Sequence, residues 1–243
     1  MKKLFALFVL GFIALSLCGN KPALAEDSVF PSPALNGPTG IVRIPSANVI
    51  PYRNYNIGID YGSVVTSSGI SSTETRVMYK MNLGTFHGVE LGIVGGTDIG
   101  TANLREGVFV NMKLSLSTGE GPNPLMLAIG VENLFSYTET DVYMVATKYM
   151  RQGPKLTFGF MADFPGQKFR PLGMAGIEAP IGETLFWGAD LMAGESLFQL
   201  NLGAKLYVTP LFAVSVTGLN VLDGTQTKDT RTAYIGFSWA NPL

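Results

Sequence analysis

The chain has 243 residues, of which 17 are lysine or arginine and 18 are aspartate or glutamate, so its formal charge is −1. This balance argues against nucleic-acid binding, which needs a basic face. Charged residues make up only 14% of the sequence, which also contains 29 glycines and 11% aromatic residues. In soluble domains roughly a quarter of the residues are charged, so this composition is not typical of them.

The first 25 residues have the pattern of a secretory signal peptide. Two lysines precede a short apolar stretch at 4–17, and the small residues of Ala23-Leu24-Ala25 predict cleavage before Glu26. The apolar stretch is too short to predict a membrane-spanning helix. Lipidation at Cys18 is the alternative. If Cys18 is removed with the signal, the mature chain has no cysteine for a disulfide or a thiol nucleophile.

Residues 26–53 form a second region, which is rich in turn-forming glycine and proline and has no repeat elsewhere in the chain. Such residues favour a compact shape. We expect this region on the periplasmic side of the domain that follows. Two interpretations are open: a plug that folds against or into that domain, or an ordered lead-in to its first strand.

Residues 54–243 alternate apolar residues with polar or small ones, the period of two that is typical of β-strands. In the clearest example, Phe198, Leu200 and Leu202 alternate with Gln199 and Asn201. We predict about twelve strands, each close to the ~9–11 residues that a tilted membrane strand needs. The predicted strands are 55–62, 74–82, 88–97, 106–117, 125–134, 141–150, 156–163, 172–179, 185–192, 198–208, 212–220 and 233–240.

The predicted connections alternate in length. Short turns are predicted at 84–87, 119–124, 152–154, 180–183 and 209–211. Longer polar loops are predicted at 63–73, 98–105, 164–171 and 221–232. Outer-membrane barrels show this alternation, with their short turns on the periplasmic side. We therefore predict an all-β fold, a transmembrane antiparallel up-and-down β-barrel of about 12 strands, surrounded by lipid in the outer membrane of a diderm bacterium.

Charged residues on the polar face of these strands should point into the lumen, because charges that face lipid are destabilising near the membrane midplane. They either pair across neighbouring strands as structural contacts or line a narrow, selective channel. Lys80 and Glu90 flank one short turn almost symmetrically, which predicts an ion pair between them. The lumen-lining candidates are Asp60, Glu74, Arg76, Lys80, Glu90, Lys113, Glu132, Asp163, Asp190 and Lys205.

The sequence predicts no catalytic, cofactor-binding or metal-binding site. His87 is the only histidine and lies in a predicted periplasmic turn, where it has no evident catalytic or metal-ligating partners. The glycine-rich stretches 92–96 and 119–121 are not followed by a predicted helix, as a phosphate-binding loop would require. Asp163 and Glu178 could serve as paired glycosidase carboxylates only if a cleft brought them together.

The N-terminal region resembles a known family. Gly37-Pro38-Thr39-Gly40-Ile41, then Ile44-Pro45-Ser46-Ala47 and Val49-Ile50-Pro51, is similar to the N-terminal signature of YjbH-like outer-membrane proteins linked to exopolysaccharide production. Members are commonly much longer, so this chain would be a short, single-barrel relative. The resemblance implies an outer-membrane barrel that serves envelope polysaccharide, with polysaccharide-export components as partners. The motif residues are Gly37, Gly40, Pro45, Ser46, Ala47 and Pro51.

Together these features favour a non-enzymatic outer-membrane barrel, either a narrow channel or an accessory factor in exopolysaccharide or envelope secretion. One alternative is a structural or assembly barrel that acts through loops such as 221–232. Another is a soluble periplasmic β-barrel that binds a lipid or a glycan.

Overall fold

The computed structural model describes residues 30–66, 69–99, 107–117, 125–136, 139–150, 153–164, 168–195, 197–222 and 231–242. The predicted signal peptide at 1–25, Cys18 and most of the predicted loop at 221–232 lie outside these residues. The side chain of Glu74 also lies outside the described part of the structure.

Twelve β-strands in the described residues form one closed barrel. Every strand pairs with its neighbours along the chain in antiparallel fashion, and β1 closes the barrel by pairing with β12. The prediction of an antiparallel up-and-down barrel is confirmed. The strands are β1 (Asn54–Thr66), β2 (Gly69–Phe86), β3 (Val89–Ile99), β4 (Val108–Ser117), β5 (Leu125–Leu134), β6 (Asp141–Tyr149), β7 (Lys155–Asp163), β8 (Arg170–Ile181), β9 (Leu185–Ala193), β10 (Phe198–Thr209), β11 (Phe212–Leu219) and β12 (Thr232–Pro242).

The first hairpin is longer than the sequence predicted. The predicted loop at 63–73 is wrong, because β1 continues to Thr66 and β2 begins at Gly69, with Val65 paired to Ile70. The β-branched residues in this stretch favour extended structure. They therefore prolong the ladder beyond the strictly alternating part of the sequence.

The barrel has an apolar outer face and a polar inner face. In β1, Ile57, Ile59 and Tyr61 are 44%, 50% and 52% exposed, whereas Asn56 and Asp60 are 1% and 5% exposed. This arrangement follows from the period of two, which sends successive side chains to opposite faces of a strand. None of the described residues belongs to a helix of the length and apolarity needed to cross a membrane.

Both faces of β6 mix apolar and polar residues in the sequence, so the period of two does not by itself tell which face is the inner one. The structure buries Asp141, Tyr143 and Val145 inside the barrel and exposes Val142 and Met144 on its outer face. The inward face of β6 therefore combines an apolar middle with an acidic residue at its start.

The lumen contains the described residues that precede β1. Residues 30–50, here called the inner segment, fold into two small loops closed by the bridges Pro33–Thr39 and Gly40–Pro45. Ile41 and Ile44 are each 1% exposed. They form one apolar cluster with wall residues that include Tyr143. The largest buried cluster of the described residues thus lies between the inner segment and the barrel wall.

The apolar outer face leads us to expect that a charge placed on it destabilises the protein. Met144 is 56% exposed near the middle of β6. If lipid surrounds this face, Met144→Arg should lower the free energy of unfolding by about 2–4 kcal/mol. The measurement is reversible unfolding in lipid vesicles. Glu183→Arg in the exposed turn after β8 is the control, and an equal effect of the two changes would contradict the membrane placement.

Candidate functional site in the barrel lumen

Asp190 of β9 binds three consecutive backbone N–H groups of the inner segment. Its Oδ2 atom accepts hydrogen bonds from the nitrogens of Val42, Arg43 and Ile44 at 3.0, 2.7 and 3.0 Å. Its Oδ1 atom accepts a hydrogen bond from Asn201 at 2.8 Å. A turn leaves N–H groups unpaired, so a carboxylate 1% exposed can satisfy them and gain partners itself.

Glu90 of β3 holds the first loop of the inner segment. Its Oε1 atom accepts a hydrogen bond from the Thr39 nitrogen at 2.8 Å, and its Oε2 atom accepts one from the Ile50 nitrogen at 3.0 Å. Lys113 of β4 lies 3.4 Å from Glu90 Oε1 and donates to the Thr39 carbonyl oxygen at 2.9 Å. The ion pair between Glu90 and Lys113 thus also binds the inner segment, through the backbone N–H and the carbonyl group of Thr39.

Two further lysines donate to carbonyl groups of the inner segment. Lys80 donates to the carbonyl of residue 34 at 2.9 Å and forms an ion pair with Asp60 at 2.6 Å. Lys205 donates to the carbonyl of residue 40 at 3.1 Å and lies 3.4 Å from Glu178. The predicted Lys80–Glu90 pair is wrong, because the β2–β3 register places Lys80 opposite Val94. Glu90 therefore lies nearer the turn than Lys80.

Uncharged polar residues of the wall complete these contacts, and the sequence analysis did not single them out. Asn82 and Asn111 donate to the backbone carbonyls of residues 37 and 36 at 2.7 and 3.1 Å. Thr147 accepts a hydrogen bond from the nitrogen of residue 47 at 2.9 Å. The sequence pattern could have identified them, because they alternate with apolar residues and lie on the same strand faces as the charged residues.

Glycines let the wall and the chain approach each other closely at two places. A Cβ atom on Gly188 would lie 2.8 Å from a methyl group of Ile41, so its absence leaves room for that side chain. A Cβ atom on Gly84 would overlap the backbone carbonyl of Pro51, where the chain leaves the lumen to enter β1. These glycines fit the inner segment against the wall.

The two ends of the lumen differ. At the end that carries the short turns, hereafter the short-turn end, a cavity of about 370 Å³ separates the inner segment from the wall. Lys155, Glu178 and Lys205 lie on its wall side, and Ser46 and Asn48 lie on the inner-segment side. Lys155 Nζ is 2.6 Å from a Glu178 oxygen, which places three charged groups at this cavity.

The opposite end, hereafter the long-loop end, is acidic. Glu139, Asp141 and Asp163 each place a carboxylate oxygen within 4.8 Å of the others. Arg170 donates to Asp163 Oδ2 at 2.6 Å. Burial and the nearby charge of Asp163 raise the pKa of Glu139, while Arg43 and Arg170 partly offset this rise. The sequence analysis predicted no metal site, but this group has the composition of one.

The remaining predicted residues are placed as follows. Arg76 is exposed, whereas Glu132 is buried in the lumen. His87 lies exposed in the β2–β3 turn and packs against Tyr52, with ring centroids 4.7 Å apart. Glu178 lies at the opposite end of the β7–β8 ladder from Asp163, so these two carboxylates are not brought together. The motif residues from Gly37 to Ala47 all belong to the inner segment.

No protein-family model matches the chain, and no curated protein sequence matches it either. Several solved structures are similar to it. The KdgM porin superposes with a TM-score of 0.55 at 9% identity, covering 76% of this chain and 98% of that one. The NanC porin gives a TM-score of 0.52 at 11% identity, covering 76% of this chain and 98% of that one.

An outer membrane channel from Pseudomonas putida F1 is also similar, with a TM-score of 0.53 at 10% identity. The match covers 82% of this chain and all of that one. These comparisons concern the fold, since the identities are low. The chain has the closed transmembrane β-barrel fold of outer-membrane porins.

The contacts of Asp190 predict a large loss of stability on truncation. Asp190→Ala leaves three N–H groups without an acceptor, two of them in the buried residues Val42 and Ile44, and each buried group costs about 1–3 kcal/mol. We expect a lower denaturation midpoint and faster proteolysis within the inner segment. Glu183→Ala, in the exposed turn of the β8–β9 hairpin, is the control. If the two variants unfold alike, Asp190 does not hold the inner segment.

Proposed function

We propose that this chain is a non-enzymatic outer-membrane channel of a diderm bacterium, held closed by its inner segment. One observation carries the proposal. Charged residues of β2, β3, β4, β9 and β10 all bind the backbone of residues 30–50 inside the lumen. The barrel fold shared with porins supports the channel, and the bound inner segment supports its closed state.

The same charged groups determine which solutes the open channel admits. When the inner segment is displaced, five charged side chains of the wall lose their contacts with it and line a narrow passage. They are Lys80, Glu90, Lys113, Asp190 and Lys205, and they carry both signs of charge. A passage of this kind selects small polar solutes over apolar ones. One protein of similar fold, the KdgM porin, was solved in complex with oligogalacturonate. That precedent supports sugars and their derivatives as the first solutes to test.

The experiment compares conductance in planar lipid bilayers. The wild-type protein should show rare, small conductance steps because the inner segment occupies the lumen. A variant with Glu90→Gln and Asp190→Asn should open more often, since hydrogen bonds to neutral acceptors are roughly half as strong as those to charged ones. Glu183→Gln is the matched control, because it removes an acidic charge from an exposed turn.

The outcomes separate two classes of function. An unchanged frequency of opening in the double variant would argue against gating by these contacts. If a barrel that lacks residues 30–50 still conducts nothing, the proposal that this protein is a channel is overturned. A structural or assembly barrel that acts through its loops would then be the better explanation.

A second function, an accessory role in exopolysaccharide secretion, is supported by the family resemblance of the N-terminal motif. The motif residues Gly37, Gly40, Pro45, Ser46 and Ala47 build the segment that occupies the lumen, so the resemblance covers the part of the molecule proposed to control opening. We propose that the chain is a short YjbH-like relative whose partners are polysaccharide-export components.

This second function predicts a change in secreted polysaccharide. In cells that lack their own copy, production of the wild-type protein should restore the amount of polysaccharide in the medium. Pro45→Ala with Ser46→Ala should reduce this restoration several-fold, because the second loop of the inner segment loses its shape. Glu183→Gln is again the control. Equal polysaccharide from cells with and without the protein would rule the role out.

A further inference from the structure

A row of three acidic residues, followed by an arginine, crosses four consecutive strands at the long-loop end of the lumen. The strand registers place Glu132 opposite Asp141, Asp141 opposite Asp163, and Asp163 opposite Arg170. Side chains at directly opposite positions have their Cβ atoms about 4.5–5.5 Å apart, and like charges there destabilise a sheet. Two successive carboxylate pairs in one row therefore need a compensating positive charge.

The row contains buried carboxylate oxygens without hydrogen-bond partners. Glu132, Asp141 and Asp163 are 0%, 4% and 1% exposed. In each residue one oxygen is bound, by Asn36 at 3.2 Å, Asn133 at 3.3 Å and Arg170 at 2.6 Å respectively. The other oxygen of each, Oε1 of Glu132 and Oδ1 of Asp141 and of Asp163, is buried and has no donor. Buried polar atoms are normally satisfied, so these three require an explanation.

Nearby positive charge is insufficient to balance the row. Arg170 contacts Asp163 and lies 3.9 Å from Glu139. Arg43 of the inner segment is close enough to act on Glu132 and Glu139, and Lys113, which also acts on Glu132, is already paired with Glu90. Four carboxylates thus face two arginines, of which Arg43 also donates a hydrogen bond to the uncharged Gln199 at 2.5 Å. Two further positive charges would restore the balance.

We propose that Glu139, Asp141 and Asp163 bind a divalent cation, Ca²⁺, at the long-loop end of the barrel. One oxygen of each lies within 4.8 Å of the others. Oxygens on opposite sides of a Ca²⁺ ion are separated by about that distance, since each bond is about 2.3–2.6 Å long. Glu139 has a side chain 44% exposed and joins the site to solvent, so water molecules can complete the coordination.

Ca²⁺ fits this donor set better than other common metals. All three ligands are carboxylates, which are hard oxygen donors, whereas zinc in proteins is usually bound through nitrogen or sulfur. Mg²⁺ requires near-ideal octahedral geometry, while Ca²⁺ accepts the irregular arrangement that two strands and a loop provide. The negative charge of Glu132 adds to the attraction without its coordinating the ion.

The test uses the full mature protein, refolded in detergent and freed of metal with a chelator. Isothermal titration with CaCl₂ should show saturable binding of one ion, and Ca²⁺ should raise the midpoint of thermal unfolding. Asp141→Asn with Asp163→Asn should weaken binding at least tenfold. Without Ca²⁺ this variant should unfold at a higher temperature than the wild type, because the like-charge repulsion is gone.

Glu139→Gln keeps the test decisive if the double variant does not fold, since Glu139 lies before β6, outside the strands. Glu183→Gln is the control and should bind like the wild type. Absence of saturable binding at millimolar Ca²⁺, the weak end of the range for extracellular Ca²⁺ sites, would overturn the proposal. Equal binding by the wild type and Glu139→Gln would overturn this ligand set.

Discussion

Charged side chains that are buried inside the barrel need partners within the lumen, because a buried, unpaired charge is very costly. The inner segment solves this problem with its backbone. Its turns leave N–H and C=O groups that no regular ladder satisfies. Asp190 and Glu90 accept from the N–H groups, and Lys80, Lys113 and Lys205 donate to the carbonyls. Wall and segment therefore each satisfy groups that would otherwise destabilise the other.

The apolar contacts position the segment so that these polar contacts can form. Ile41 and Ile44 are fully buried against the inner face of the wall. Glycines such as Gly188 remove the side chains that would otherwise keep the segment at a distance. Apolar contact is not directional, whereas three hydrogen bonds to one Asp190 oxygen fix both position and orientation. Apolar packing thus brings the segment close to the wall, and the hydrogen bonds to charged side chains determine where on the wall it binds.

The strands and the inward position of buried charges such as Asp60, Lys80 and Glu90 could be predicted, because both depend on a period of two. Pairing partners depend on register, which the period does not encode. Lys80 and Glu90 look symmetrical about their turn, yet the ladder places Lys80 beside Asp60 and Glu90 beside Lys113. The acidic row was missed for the same reason. Glu132, Asp141 and Asp163 come together only when two successive hairpins are aligned.

The distribution of contacts around the wall also suggests how such a lumen could open. Removing the whole segment would break hydrogen bonds to at least five strands and return five charged side chains to a water-filled barrel. A smaller shift toward the cavity beside Lys155, Glu178 and Lys205 meets space rather than packed side chains. The contact of Lys205 with the Gly40 carbonyl lies on that side, and Thr39, which Glu90 and Lys113 bind, also lines the cavity. The cavity is therefore the space into which the inner segment can move once its contacts with Glu90 and Asp190 weaken.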